Sequence, residues 1–342
     1  MRKIFNKLYE SKCLNKKESY KLFKEIISGK INEIQLSSVL TAMRVRGESI
    51  EEIIGAVNAF LEKKKFFLKP RYIFSDIVGT GGDTHNTINV STASALVASA
   101  CGFKIIKHCN QGVSSKSGSS DLLNNLNINL NASSKKSLET LDKLNICFLF
   151  AQKYHKGFKL AKNVRKILKT KTIFNLLGPF LNPATPPLIV IGVYKKELIS
   201  STIHILKQFE YKRCIVLHGN NTDEVTLNGK TYVSELLNGK IISYKLQAED
   251  FGLKNYSRKM ITESSKEENY RIICQTMKGN GDKFYEELIA VNVAVLMKVF
   301  GYEDLKENTQ VALKKIRSGD VYKQIINISN MLKEDGYERH DT

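Results

Sequence analysis

The stretch DIVGTGGDTHNTINVSTASALVASACG, residues 76–102, decides the fold, because a glycine-rich loop joins a strand-like run to a helix-like run in it. The apolar, β-branched run before the loop indicates a buried strand, and the alanine-rich run after it indicates a helix that begins near Ser91 or Thr92. Glycines in the loop permit close backbone approach and positive φ angles. Hydroxyls and free amides at a helix start suit phosphate. A tight turn without a ligand is the alternative interpretation, and no Walker A lysine follows.

Short β-branched or aromatic runs recur after Pro70, and helix-like segments such as 92–101 and 136–144 lie between several of them. The predicted strands are 72–78, 103–107, 146–150, 188–193 and 214–218. This alternation predicts an α/β fold with a mainly parallel central sheet flanked by helices. Residues 1–65 instead repeat apolar positions at helical spacing, which predicts a small all-helical N-terminal domain with a boundary near Pro70.

The composition describes a globular protein of 342 residues with 42% hydrophobic residues and a net charge of +19. A basic surface attracts nucleic acid, membranes or small polyanions, but the lysines are spread along the chain, so a lysine-rich compositional bias is the favoured explanation of the charge. No apolar run reaches the ~18 residues of a membrane span, and the N-terminus is too polar for a secretory signal. Six scattered cysteines without a CxxC pair indicate reduced thiols, and we expect a cytoplasmic protein.

Two further segments have the chemistry of a phosphate and metal site. KHCNQGVSSKSGSSDLL, residues 107–123, places Lys107 and His108 at the end of a predicted strand, where open α/β sheets bind ligands, ahead of a serine-rich loop. Asp223 and Glu224 follow the strand 214–218, and adjacent acids beside phosphate loops suit Mg²⁺. A polar surface loop and exposed turn acids are the respective alternatives.

The segment FNLLGPFLNPATPP, residues 174–187, contains four of the five prolines and predicts a rigid, extended wall. His155 and Arg165 lie shortly before it. Arginine there would hold a carboxylate through paired hydrogen bonds, or would be an ordinary charge on a helix surface.

Taken in order, these motifs resemble the anthranilate phosphoribosyltransferase family along almost the whole chain. The matching segments are DIVGTGGD, NVSTAS, KHCN with VSSKSGSSDLL, FLFAQKYH, TIFNLLGPFLNPA, IGVY, DEV, AEDFGL and AVNVAVLM. The resemblance implies a helical domain at 1–69, with a returning segment at about 162–185, and an α/β domain at 70–161 and 186–342. It also implies a cleft between the domains as active site, and a homodimer formed through the helical domain.

The resemblance assigns roles to individual residues. Those implied to bind phosphoribosyl diphosphate are Gly79, Gly82, Asp83, Thr87, Asn89, Ser91, Thr92, Lys107 and Ser119. Those implied around anthranilate are Gly79, His108, Asn110, His155, Arg165, Gly178 and Pro179, with Arg165 against the carboxylate and His108 and Arg165 as the catalytic candidates. Ser91, Asp223 and Glu224 match the Mg²⁺ positions, and two ions per subunit are expected. A separate anthranilate synthase subunit is a further expected partner.

Three positions depart from the family pattern. Cys109 stands where glycine is usual, Gln111 where arginine is common, and Gly112 where another small residue is usual. If position 109 requires a positive φ, cysteine there is strained by about 1–2 kcal/mol. Two rivals remain: a pyrimidine nucleoside phosphorylase of the same fold, and a nucleic-acid binder. We expect neither, because the GPFLNPA wall and the acid pair fit the transferase better, and a nucleic-acid binder would not need the GTGGD, NVST and DE segments together.

Overall fold

A computed structural model describes residues 1–81, 88–111, 118–256 and 265–333 of the chain. A seven-stranded sheet lies at its centre, in the strand order β3-β2-β1-β4-β5-β6-β7. The strands are β1 Ser75–Gly79, β2 Ile105–Cys109, β3 Ile146–Phe150, β4 Leu188–Gly192, β5 Arg213–His218, β6 Thr231–Leu237 and β7 Lys240–Leu246. The first five are parallel to one another, and the last two pair antiparallel. The predicted fold class is confirmed.

The chain begins with four helices, and side-chain caps fix the starts of three of them. They are α1 Arg2–Tyr9, α2 Lys16–Ile27, α3 Glu33–Arg46 and α4 Ile50–Glu62. Asn15, Asn32 and Ser49 each accept a hydrogen bond from the backbone three residues on, which completes a capping box at the starts of α2, α3 and α4. The buried Glu52 carboxylate joins this bundle together, because it accepts from Arg46 at 2.6 Å and from the Leu14 amide at 2.9 Å.

The remaining helices cover both faces of the sheet. They are α5 Val90–Ala100, α6 Ser119–Asn125, α7 Ser134–Leu144, α8 Ala151–Tyr154, α9 Lys156–Leu168, α10 Ile173–Leu177, α11 Leu198–Lys207, α12 Lys266–Met277, α13 Lys283–Val299, α14 Leu305–Arg317 and α15 Asp320–Lys333. One hydrophobic core joins the sheet to α5 and to α12 through α15. A second joins the opposite face to α1 through α4 and to α9 through α11.

Helix α9 packs on α2 and α3, and α10 packs on α4 and α3. The chain therefore returns to the N-terminal bundle after three strands, in the region where the sequence predicts a returning segment. The exact domain limits stay a prediction.

The predicted strand limits shift by a few residues. β1 begins at Ser75 rather than at 72, because its pairing starts where the Ser75 amide donates to the Lys104 carbonyl at 3.0 Å. β2 runs to Cys109, two residues beyond the predicted end, in register with β3. Helix α5 begins at Val90 with Asn89 as its N-cap, so Ser91 and Thr92 lie in its first turn and do not cap it.

The sequence interpretation missed the hairpin of β6 and β7. Its signal is Asn238-Gly239 between two seven-residue strands. Both residues have positive φ, +50° and +75°, which is the requirement of a tight two-residue hairpin turn.

Within the described residues, none of the helices has both the length and the apolar character needed to cross a bilayer.

Candidate active site

The candidate site lies where the strand order reverses, outside the carboxyl ends of β1 and β4. Such a point in an open parallel sheet leaves a crevice that binds ligands. Gly79 and Gly192 are paired there as the last residues of their strands. A Cβ on Gly79 would overlap the Asp223 carboxylate, and a Cβ on Gly192 would overlap the Asp223 carbonyl oxygen. Two glycines therefore admit the acid-bearing loop after β5 into the crevice.

A backbone contact holds Asp223, the first acid of the pair, in the crevice. The Gly81 amide donates to Oδ2 of Asp223 at 2.7 Å. The negative charge of Glu224 raises the pKa of the nearby Lys107. In the described part of the chain, no group of three or more His, Cys, Asp and Glu side chains is placed to hold a metal ion. Two carboxylates beside a phosphate site fit Mg²⁺, which takes few protein ligands and completes its shell with water and substrate phosphate.

The start of α5 faces the same crevice. The side chain of Asn89, its N-cap, makes no capping bond to the helix. Instead the Asn89 amide donates to Oδ1 of Asn269 at 3.0 Å, and Nδ2 of Asn269 donates to Oδ1 of Asn89 at 2.5 Å. The first-turn amides of a helix have no partner within the helix, so an anion can bind them. Thr92 has a fully buried hydroxyl for which the described residues supply no hydrogen-bond partner.

Strand β2 supplies one residue to each side of the sheet, because successive side chains of a strand point to opposite faces. Nζ of Lys107 donates to the Ile77 carbonyl at 2.6 Å and lies 3.4 Å from the Ser91 hydroxyl. Burial lowers the pKa of Lys107, and the Asp76 and Glu224 carboxylates oppose that shift. Nδ1 of His108 instead lies 3.3 Å from the Gly178 carbonyl. The strand thus joins two halves of the site. We call the side around Lys107 and the start of α5 the phosphate half, and the side around His108, Gly178 and Arg165 the acceptor half.

Ser119 closes the phosphate half at the start of α6. Its hydroxyl lies 3.1 Å from both the amide and the carbonyl of Asn110. Asn110 in turn accepts the Gln111 amide at its Oδ1, at 2.9 Å. The end of β2 and the beginning of α6 are therefore fixed to each other. Gly82, Asp83 and Thr87, and likewise Gly112 and the serines at 114, 115 and 117, lie outside the described residues.

Arg165 defines the acceptor half. It is 7% exposed, and within the described residues no acidic side chain forms an ion pair with it. Its guanidinium lies 5.4 Å from the centre of the Phe174 ring, and burial lowers the pKa of Arg165 to about 10. A buried guanidinium without a counter-charge is costly, so this position fits the carboxylate of a ligand. The surface-charge alternative does not hold, because the side chain is buried.

Two neutral histidines hold the proline-rich wall. His108 contacts the Gly178 carbonyl, and Nε2 of His155 contacts the Leu181 carbonyl at 2.7 Å. Their rings lie edge to face with centres 5.8 Å apart. Burial, followed by the neighbouring His155, lowers the pKa of His108 to about 3, and burial lowers the pKa of His155 to about 4. Both side chains are therefore uncharged at neutral pH.

The wall itself leaves room for a ligand at Gly178. A Cβ there would meet no atom within 4 Å, and the backbone angles of −46° and −50° suit any residue. Pro179 follows in a short 3₁₀ turn, Gly178–Phe180. The prediction that the wall is extended is therefore wrong for its first residues, because α10 runs directly into this turn. Asn182 fastens the wall to the sheet, because its Nδ2 donates to Asp76 Oδ2 and to the Ile106 carbonyl, both at 2.8 Å.

The departure at Cys109 carries no backbone strain. Cys109 is the last residue of β2 and is not among the residues with positive φ. Its buried thiol lies 3.6 Å from the Leu149 carbonyl, and burial raises the pKa of this thiol to about 12. Gln111 accepts a hydrogen bond at 3.0 Å from Gln152. The conditional strain of about 1–2 kcal/mol is therefore absent.

Sequence reasoning missed four polar residues that support the site: Asp76, Asn182, Asn269 and Asn292. Asp76 and Asn182 stand inside quoted motifs, and Asn292 interrupts an otherwise apolar helix. The lone Asn292 within a buried apolar run signals a buried polar group that needs a partner, but does not identify that partner.

Comparison with known proteins agrees with this geometry. Residues 2–64 match the family model "Glycosyl transferase family, helical bundle domain", and residues 71–322 match "Glycosyl transferase family, a/b domain". An anthranilate phosphoribosyltransferase of Buchnera aphidicola subsp. Acyrthosiphon pisum (strain Tuc7) is 69% identical over all 342 residues, which is 100% of each chain.

Solved structures of anthranilate phosphoribosyltransferases share the fold of this chain. The crystal structure from Thermus thermophilus has a TM-score of 0.88 and 30% identity, covering 96% of this chain and 99% of that one. The Saccharomyces cerevisiae protein in complex with PRPP and Mg has a TM-score of 0.86 and 28% identity, with 97% of each chain covered. Its complex with 4-fluoroanthranilate has a TM-score of 0.85, with 28% identity and 97% of each chain covered. The chain therefore belongs to the anthranilate phosphoribosyltransferase family of glycosyl transferases.

Proposed function

We propose that this chain transfers the 5-phosphoribosyl group of phosphoribosyl diphosphate to the amine of anthranilate, giving N-(5-phosphoribosyl)anthranilate and diphosphate. This is the second step of tryptophan biosynthesis from chorismate. The observation that carries the proposal is the two-sided site along β2. Lys107 reaches the anion-suited start of α5, while His108 reaches the wall near the buried Arg165, which has no acidic partner among the described residues.

The acceptor half selects and orients anthranilate. Arg165 binds the carboxylate, and the open space at Gly178 and Pro179 accommodates the aromatic ring. Because the amine lone pair is delocalised into the ring, anthranilate is a weak nucleophile, so accurate placement opposite the ribose carbon carries much of the rate. His108 and His155 orient the wall through its carbonyls. With a pKa of about 3, His108 is too weak a base to remove the amine proton before bond formation.

The phosphate half holds phosphoribosyl diphosphate at the start of α5 and at Lys107. Gly79 and Asn89 shape this half, together with Ser91, Thr92 and Ser119. Asp223, Glu224 and Ser91 would hold Mg²⁺, with two ions per subunit. Bound Mg²⁺ would neutralise the charge that develops on the departing diphosphate. The amine then attacks the ribose carbon from the opposite face as the bond to diphosphate breaks, and one N–H proton is released to water after the C–N bond has formed.

We further propose a homodimer formed through α1, α3 and α9. These helices line an apolar groove, and Ile34, Val45 and Ile167 are 83%, 84% and 69% exposed along it. An exposed apolar patch of this kind is typical of a protein interface. A cytoplasmic location agrees with six cysteines that all remain free thiols. Association with a separate anthranilate synthase subunit stays a prediction.

A fluorescence assay tests the function directly. Purified protein with phosphoribosyl diphosphate and Mg²⁺ should consume anthranilate, and chelation of Mg²⁺ should stop consumption. The double variant Asp223→Asn, Glu224→Gln should lose most Mg²⁺-dependent turnover while remaining folded, since only the charges are removed. Near-normal rates in that variant would overturn the metal assignment. Wild-type protein that is folded but silent towards anthranilate would overturn the function and favour the phosphorylase alternative.

A further inference from the structure

Asn292 lies in the middle of α13, and its side chain binds the loop that carries the acid pair. Its Oδ1 accepts from the Val225 amide at 2.9 Å, and its Nδ2 donates to the Val225 carbonyl at 3.1 Å. Nδ2 also donates to the Leu288 carbonyl, one turn earlier in α13, at 2.9 Å. One buried side chain therefore satisfies both backbone polar groups of Val225, as a neighbouring strand would do.

Val225 directly follows Asp223 and Glu224, so these bonds fix the orientation of the peptide that leaves the acid pair. Further contacts on this loop come from the ends of β1, β4 and β5. Asp223 is held by the Gly81 amide and lies against Gly192, while the Glu224 carbonyl lies against Gly219. Asn292 adds a contact on the loop from the helical layer, through α13. Without it, two backbone groups of the fully buried Val225 would lose their partners.

Simple satisfaction of a buried amide is the competing explanation. Asn308 on α14 offers the comparison, because it is equally buried and its Nδ2 donates to the Tyr302 carbonyl at 2.7 Å and to the Ala294 carbonyl of α13 at 3.3 Å. Asn308 thus supports the same helix without touching the loop after β5. A role in fold stability is common to both residues, whereas only Asn292 contacts the segment next to the acids.

We propose that Asn292 is a positioning residue for the metal-binding acid pair: from α13 it sets the geometry of Asp223 and Glu224 through the backbone of Val225. The proposal rests on the proposed function, in which these acids hold Mg²⁺. Outer partners that orient metal ligands typically change metal affinity by about 10–100-fold when they are removed. We therefore expect loss of Asn292 to weaken metal binding and to leave anthranilate binding nearly unchanged.

The test compares Asn292→Ser with Asn308→Ser. Serine in a helix can bond the carbonyl four residues earlier, here Leu288, but is too short to reach Val225, so the variant removes only the loop contact. Mn²⁺ serves as the probe, and its binding in the presence of phosphoribosyl diphosphate is measured by electron paramagnetic resonance. Hydrogen exchange of the peptide containing Val225 is measured on the same samples, and Asn292→Ala serves as the more severe variant.

In Asn292→Ser we expect Mn²⁺ to bind about tenfold more weakly, the Val225 amide to exchange faster, and the KM for anthranilate to change by less than about twofold. Asn308→Ser should lose thermal stability with unchanged Mn²⁺ affinity. Unchanged Mn²⁺ affinity in folded Asn292→Ser, or an equal loss in Asn308→Ser, would overturn the proposal. Exchange and metal binding are read without turnover, so a wild-type protein inactive towards anthranilate would refute the proposed function separately.

Discussion

At the scale of single residues, Arg165 combines burial with the lack of an acidic partner among the described residues. Replacing it by methionine removes a charged hydrogen-bond donor worth about 2 kcal/mol, so the KM for anthranilate should rise roughly thirtyfold. The KM for phosphoribosyl diphosphate should stay within about twofold. Thermal stability should not fall, because a buried unpaired charge is removed. The exposed neighbour Lys166 gives the matched control, Lys166→Met. Equal effects on both substrates would contradict the carboxylate role.

Two glycines of the site lead to opposite expectations for the same substitution. Gly178→Ala meets no neighbouring atom and no backbone strain. The protein should therefore fold normally, and its added methyl group should occupy ligand space and raise the KM for anthranilate about tenfold. Gly192→Ala would place its Cβ on the Asp223 carbonyl oxygen. It should therefore lower both thermal stability and the response to Mg²⁺. Steady-state kinetics with thermal melts checks both variants. An unaltered KM for anthranilate in Gly178→Ala would show that the anthranilate ring does not occupy this space.

At the scale of elements, two histidines contact backbone carbonyls of the wall, at Gly178 and Leu181. Their pKa values are lowered, to about 3 for His108 and about 4 for His155. The folded form keeps both neutral, whereas the unfolded chain takes up protons near pH 6.5. Their contribution to stability is therefore complete above about pH 6.5 and is lost as the pH falls towards about 4, by up to about 1.4 kcal/mol per pH unit for each histidine. Other charged groups near them are Lys107 and Lys64.

Urea denaturation at a series of pH values measures this dependence. The free energy of unfolding should fall between about pH 6.5 and 4, and His155→Gln should show a shallower slope, because one of the two groups is gone. The hydrogen bond from Arg213 lowers the pKa of Glu303 to about 2. Glu303 therefore adds a further loss of stability, which begins as the pH falls below about 4.5. An unchanged slope in His155→Gln would mean that His155 is charged or exposed in the folded protein.

Elements were predictable from sequence where their signal is local. The run 146–150 matches β3, and the alanine-rich run after the glycine loop matches most of α5. The hairpin of β6 and β7 was missed although Asn238-Gly239 marks its turn. In the site, glycines, acids and basic residues at strand ends were predictable because parallel strands end at one edge. Asn182 and Asn292 were not, since their partners lie 106 and 67 residues away and only the folded chain brings them together.

At the scale of the whole molecule, the two halves of the site belong to different cores. Phe174, beside Arg165, packs in the core shared with the N-terminal bundle, whereas Val90, Leu288 and Val225 pack in the core shared with the C-terminal helices. The sheet separates these cores, and Lys107 and His108 reach one half each from β2. The alignment of acceptor and donor is thus fixed by strand registry, which is stiffer than a contact between two loops.

The residues that line the apolar groove are different from those assigned to the site, so self-association should affect assembly and leave the chemistry intact. Ile34 is the test position, because it is 83% exposed on α3 within the apolar groove. Ile34→Glu should convert a dimer to a monomer in sedimentation experiments, since burying an unpaired carboxylate at an interface is costly. Ile242→Glu, at a half-exposed position on β7 outside the groove, should remain dimeric. The kcat of the monomeric variant should stay within about twofold of wild type. A wild-type monomer would contradict the assigned interface, and an inactive but folded monomer would show that the site needs its partner.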